Sequence, residues 1–270
     1  MNIEILIPDD FESYSDAKKE KMCLSCYELL EYMQQVNDKY NFHDKDKICE
    51  YIGYGKIKND QEKQLLKYLN KSVTSDKSKE SISNNIQNNI CDEYISICID
   101  IRNNLNNSCF INSKDKLIEL KCNCYLKKIK KDNFIKYCSN IFDKLCYSDT
   151  IGQSLNSISK HIKKSKDKIL KHLQVLSSDD FDNKKRKKKR LIDIGDLLKE
   201  YNISCSVSSD RNSVRSFYFT CKDNVSKKIE CELHTKLDSN RDSCIRIHFH
   251  PGMKDFYNNK VLIGYIGEHL

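Results

Sequence analysis

Between Cys231 and His250 polar and apolar residues alternate with a period of two, which a β-strand requires because successive side chains leave on opposite faces. Glu232, His234 and Lys236 share one face of a first strand, with Leu233, Thr235 and Leu237 on the other. In a second strand Arg246, His248 and His250 fall together with Cys244, opposite Ile245, Ile247 and Phe249. Pairing of the two through a turn at 238–242 would bring His234, Lys236, Arg246 and His248 together on an exposed polar face, leaving the isoleucines and Phe249 to the core.

Around this pair the same reading finds strands at 203–207, 216–221, 228–237, 244–250 and 260–266, separated by turn-forming residues at 208–212, 222–224, 238–242 and Pro251-Gly252. A helix at 191–201 precedes them, its inward residues Leu191, Ile194, Leu197 and Leu198 at helical spacing. Upstream the pattern is mainly helical. A short strand at 3–7 leads to a helix begun by Ser15 with the stripe Met22, Cys26, Leu29, Leu30, Met33 and Val36. Further helices are expected at 61–69, at 86–101, at 134–146 and from Thr150 to Leu176, with a polar loop at 70–85 and an ambiguous segment at 116–125. The fold class is therefore α+β: a mostly helical region over 1–183, a basic linker at 184–190, and a small module at 191–270 made of one helix and an antiparallel sheet.

Charge is concentrated at that border. Residues 160–190 carry thirteen Lys and Arg against four Asp, a net +9 in a chain whose total is +8. Such a local excess concentrates polyanions. Lys184, Lys185, Arg186, Lys187, Lys188, Lys189 and Arg190, with Lys236 on the sheet, are candidate contacts to nucleic acid, RNA first, although a run of this kind also serves as a solvated linker or a nuclear address. No apolar run approaches the ~18 residues of a membrane span and the first residues lack a secretory pattern, so a cytoplasmic protein without a membrane partner is expected. The fourteen cysteines are then expected to be reduced and mostly buried.

Four of the seven histidines lie within the last 37 residues: His234, His248, His250 and His269. Histidine gives and takes protons near neutrality, while Arg and Lys stabilise anionic transition states, so His234, Arg246, His248 and His269 could together cleave a phosphodiester without a metal. A second reading takes His248 and His250, with His234 or His269, as zinc ligands. A third makes the face a binding surface for phosphate, or for an inhibitor or regulatory protein. Cys23 and Cys26 have no second pair at zinc-finger spacing, and no phosphate-binding loop, dinucleotide fingerprint, nucleophile elbow or zincin motif occurs.

The succession Leu-His-Thr-Lys-Leu at 233–237, Ile-Arg-Ile-His-Phe at 245–249 and Val-Leu-Ile-Gly-Tyr-Ile-Gly-Glu-His at 261–269 resembles the C-terminal sheet of RelE-like toxins, over about seventy residues. That resemblance implies a small ribonuclease of toxin or phage-defence type. It would make Arg246 the charge-stabilising group and His269 or Tyr265 the acid or base. This chain departs from the family in having one helix before the sheet and a long helical region fused in front.

Overall fold

The computed structural model describes residues 2–6, 11–36, 39–43, 45–52, 65, 68–69, 73–74, 94–98, 113–126, 130–158, 162–208, 214–220, 224–237 and 245–268. The class is α+β, with helices mainly in the earlier part and strands in the later part. Contacts divide the chain into two compact units, 1–124 and 125–270.

In the first unit β1 (Asn2–Leu6), β2 (Lys39–His43), β3 (Val73–Thr74) and β4 (Tyr94–Cys98) form a parallel sheet in the order β3-β2-β1-β4. Ile3 lies beside Tyr40 and Ile95. Parallel neighbours need a long crossover. Between β1 and β2 it is supplied by α1 (Asp16–Gln35), whose expected stripe of Met22, Cys26, Leu29, Leu30, Met33 and Val36 is buried. Ser15 takes the position before this helix without a side-chain capping bond. The unit also contains α2 (Lys45–Tyr51) and α3 (Lys114–Leu126), which resolves the ambiguous segment as helix and buries the Lys121 ammonium 5.0 Å from the Tyr32 ring.

The expected mostly helical character of this region needs correction. The segment drawn as a helix through Tyr94 and Cys98 is strand β4 over its described part, because Tyr-Ile-Ser-Ile-Cys satisfies a period of two as well as a helical stripe and β1 offers it a partner. Residues 61–64 of the expected helix at 61–69 and most of the loop at 70–85 lie outside the described residues.

The second unit starts far earlier than the expected border. It comprises α4 (Phe134–Ile141), β5 (Leu145–Tyr147), α5 (Ile151–Ser154), α6 (Ile162–Ser177), α7 (Asp179–Lys185) and α8 (Leu191–Lys199), followed by β6 (Ser204–Val207), β7 (Arg215–Thr220), β8 (Ser226–Cys231), β9 (Leu233–Lys236), β10 (Arg246–His250) and β11 (Val261–Gly267). Five strands form one sheet in the order β5-β11-β10-β9-β6. All neighbours are antiparallel except β5, which runs parallel to β11, so the sheet is mixed and draws one strand from residues read as helix at 134–146. Strands β7 and β8 form a separate antiparallel hairpin.

Both faces of the five-stranded sheet are covered. On one, α6 packs down and His172 Nδ1 lies 3.0 Å from Thr235 Oγ1, while Ile247, Phe249, Ile263 and Ile266 are fully buried. On the other, the hairpin presses Phe219, Ile229 and Cys231 onto Cys146, Leu262 and Phe256. Gly264 permits this approach, since a Cβ there would sit 2.3 Å from the Phe217 ring. The hairpin is tied down by Asp149, which accepts from Thr220 N at 3.1 Å and Thr220 Oγ1 at 2.8 Å, and by Tyr257, whose hydroxyl donates to the Thr220 carbonyl.

The 184–190 run is not a linker. Ser178 caps α7 by accepting from Phe181 N, and this helix carries Lys185 inward to 6% exposure. There the ammonium donates to the carbonyls of Pro251 at 2.6 Å and Asn259 at 3.0 Å and pairs with Asp182 at 3.1 Å, fixing the connection between β10 and β11. Breaking a buried, hydrogen-bonded ion pair leaves its partner charged and poorly solvated. Lys185→Met is therefore expected to lower the unfolding free energy in urea by about 3 kcal/mol, whereas exposed Lys187→Met should change it by less than about 0.5 kcal/mol. Equal effects would contradict the clamp.

Candidate functional site

The register between β9 and β10 sets His248 directly opposite His234, and that between β10 and β11 sets it opposite Tyr265; Ser206 of β6 completes a row across four strands. The two imidazoles stack with centroids 5.0 Å apart and planes at 28°, and Tyr265 meets His248 edge-on at 5.8 Å. The next row on the same face is Ser204, Lys236, Arg246 and Gly267. The expected neighbourhood of His234, Lys236, Arg246 and His248 therefore exists.

Its expected exposure does not. His234 is 7% exposed, His248 4% and Tyr265 8%, because the β7–β8 hairpin roofs this face and Phe217 stacks on Tyr265 at 6.3 Å. Lys236 and Arg246 remain half-exposed at the rim. Arg215, paired across the hairpin with Cys231, adds another cation close enough to act on His248. Sequence reasoning passed over Arg215, although its phase with Phe217 and Phe219 places it on the hairpin's inner face.

Burial pushes the His248 imidazole down to about 4, and the positive potentials of His234, Arg246 and Arg215 add to the effect; the main chain of Cys231 offsets part of it. Neither ring nitrogen of His248 nor Nε of Arg246 meets a hydrogen-bond partner among the described residues. Leaving a buried polar group unsatisfied costs about 1–3 kcal/mol, and such groups call for an explanation in ligand binding or chemistry.

The remaining candidates separate from this pair. His250 lies beyond a bulge between His248 and Phe249, and its Nδ1 accepts from Gly252 N at 3.1 Å. Burial, then Lys185 and Lys227, lower its pKa. Among the described residues no three His, Cys, Asp or Glu side chains are grouped to hold a metal. His269 lies outside the described residues. The Tyr265 hydroxyl donates to the Glu268 carbonyl at 3.0 Å, so it is turned toward the end of β11.

Of the basic run, Lys184 pairs with Asp180 at 3.0 Å and Glu200 at 3.2 Å, Arg186 with Asp182 at 2.8 Å and Arg190 with Asp193 at 2.7 Å. Lys185 is the buried clamp and is withdrawn from any external contact, a correction to its assignment as a nucleic-acid ligand. Lys187, Lys188 and Lys189 stand exposed. Burial raises the thiols of Cys122, Cys205 and Cys231 to about 12, which leaves them protonated and unreactive at neutral pH. No described helix is long and apolar enough to cross a membrane.

Acid should loosen this arrangement. An unfolded histidine takes up a proton near 6.5, whereas folded His248 does so only near 4. Between these values protons favour the unfolded chain, so the stabilisation present above pH 6.5 is lost as pH falls toward 4, by at most about 3 kcal/mol. In urea titrations from pH 7 to pH 4.5, His248→Leu is expected to lose less stability than the unaltered protein, and at pH 7 to match or exceed it. An identical pH dependence would show that His248 does not carry the effect.

Comparison with known proteins finds no matching protein-family model, no matching curated protein and no matching solved structure.

Proposed function

We propose that the second unit is directed at nucleic acid and cleaves RNA without a metal, at the row formed by His234 and His248 beneath Arg215, Lys236 and Arg246. The observation that carries this reading is His248 itself: an imidazole 4% exposed, with neither ring nitrogen paired among the described residues, set beside two arginines. A cation-rimmed pocket with unspent hydrogen-bonding capacity at its base suits a phosphate. The chemistry is transphosphorylation. One imidazole takes the proton of a ribose 2′-hydroxyl as its oxygen bonds to the adjacent phosphorus. The bond to the 5′-oxygen breaks, and that oxygen receives a proton from the other imidazole. The products are a 2′,3′-cyclic phosphate and a 5′-hydroxyl, and the rim cations stabilise the phosphorane between them.

The likeness to RelE-like toxins supports the same substrate and places the activity in growth arrest or phage defence. Lys187, Lys188 and Lys189 offer further contacts to the phosphate backbone.

End-labelled RNA incubated with the purified protein is expected to yield fragments ending in cyclic phosphate, unaffected by chelator. His248→Gln and Arg246→Gln should each slow cleavage by about 100-fold or more. RNA that stays intact while still bound would replace the enzyme with a non-catalytic nucleic-acid binder. Cleavage abolished by chelator would point instead to a metal held by the histidines.

A further inference from the structure

We infer that ligand binding charges His248: an anion seated between Arg215 and Arg246 draws a proton from solvent onto the imidazole, so that His248 meets its substrate as the proton donor. The inference rests on the phosphate reading of the site and assigns one of the two imidazole roles within it.

The groups acting on the ring come from every strand around it. They are His234 and Lys236 on β9, Arg246 on β10, Tyr265 on β11, Arg215 on β7 and Cys231 on β8. Among the groups that shift its titration none is an acid, and the two formal charges are both positive. In the empty site these charges repel a proton while burial strips the imidazolium of water, and the ring stays neutral. A bound phosphodiester reverses both terms, because its negative charge offsets the arginines and its oxygens accept the N–H that the described surroundings leave without a partner. A neutral imidazole with an unpaired N–H could also donate a hydrogen bond to phosphate, but only the charged ring gains the Coulombic attraction, which is strong where water is excluded.

The protonated His248 then has one task in the cleavage described above: its proton passes to the 5′-oxygen as the phosphorus–oxygen bond breaks, and the ring leaves turnover neutral. Release of the anionic product restores the arginines' repulsion and keeps it so. The site thus loads its acid only when substrate is present.

The test uses ligands that neither titrate near neutrality nor react: sulfate, and a 2′-O-methyl oligoribonucleotide whose phosphodiesters cannot be attacked by a neighbouring hydroxyl. Calorimetric titration of the full chain at pH 5.5, in two buffers of different ionisation enthalpy, measures protons taken up on binding. About one proton per bound oligonucleotide is expected, falling to near zero in His248→Gln. Histidine ring resonances of the unaltered protein provide a check independent of any variant's folding. The His248 titration midpoint should rise by about 2 pH units on saturation with either ligand. Binding without proton uptake and without a shifted midpoint overturns the inference while leaving the ribonuclease reading intact. Failure of both ligands to bind overturns the two together, and proton uptake with no cleavage of ordinary RNA sustains the inference and removes the enzyme.

Discussion

Strand β11 takes hydrogen bonds from both sides, parallel from β5 and antiparallel from β10, and all seven of its residues are buried. A strand held in this way needs cover on both faces. Helix α6 provides it on the Thr235 side and the β7–β8 hairpin on the His248 side, each burying enough aliphatic and aromatic surface to contribute about 1.5–3 kcal/mol per large side chain. The second layer turns an ordinary polar sheet face into an interior, and the properties of His248 follow from that one act of roofing. An exposed histidine at the same position would titrate near its usual value and bond to water.

The same unit treats its strongest concentration of charge in the opposite manner. The run at 184–190 neutralises itself through acids three and four residues away or across the α7–α8 junction: Asp180, Asp182, Asp193 and Glu200. Exposed pairs of this kind contribute little each. Their effect is to hold Lys184, Arg186 and Arg190 along the helices, so that the free positive potential of the unit is divided between Lys187–Lys189 and the rim of the histidine row.

Much of the sheet could be read from the chain because strand phase is a local property. Cys231 to His250 fixes which side chains share a face, and the pairing of His234 with His248 follows once a turn joins the two strands. What the alternation does not carry is the identity of the medium on the polar side. His234 and His248 in the polar phase read as solvent-facing, since one-sided sheets usually are; only the long-range packing of Phe217, Phe219 and Ile229 against Gly264 and Leu262 made that side dry. The unit boundary was hidden for a related reason. Leu145–Tyr147 is three residues long, too short for a period to register, and its partner lies more than a hundred positions away. Strand β4 was lost to a genuine ambiguity between the two periods, whereas the clamp at Lys185 was hinted at by Asp182 three residues earlier in a run that composition alone marks as solvated.

The place of β11 in the order of synthesis has a consequence for how the unit is made. Until residues 261–267 emerge from the ribosome, β5 has no neighbour, β10 presents an open edge, and the apolar sides of Phe219 and Ile229 have no Leu262 to meet. The helices and the hairpin can form early, but the sheet closes only in one late step that spans long loops and bears the entropy of all of them at once. Such a topology folds slowly and leaves a sticky edge exposed meanwhile. It also means that the histidine row does not exist in nascent chains: whatever activity resides there switches on only after the module has closed.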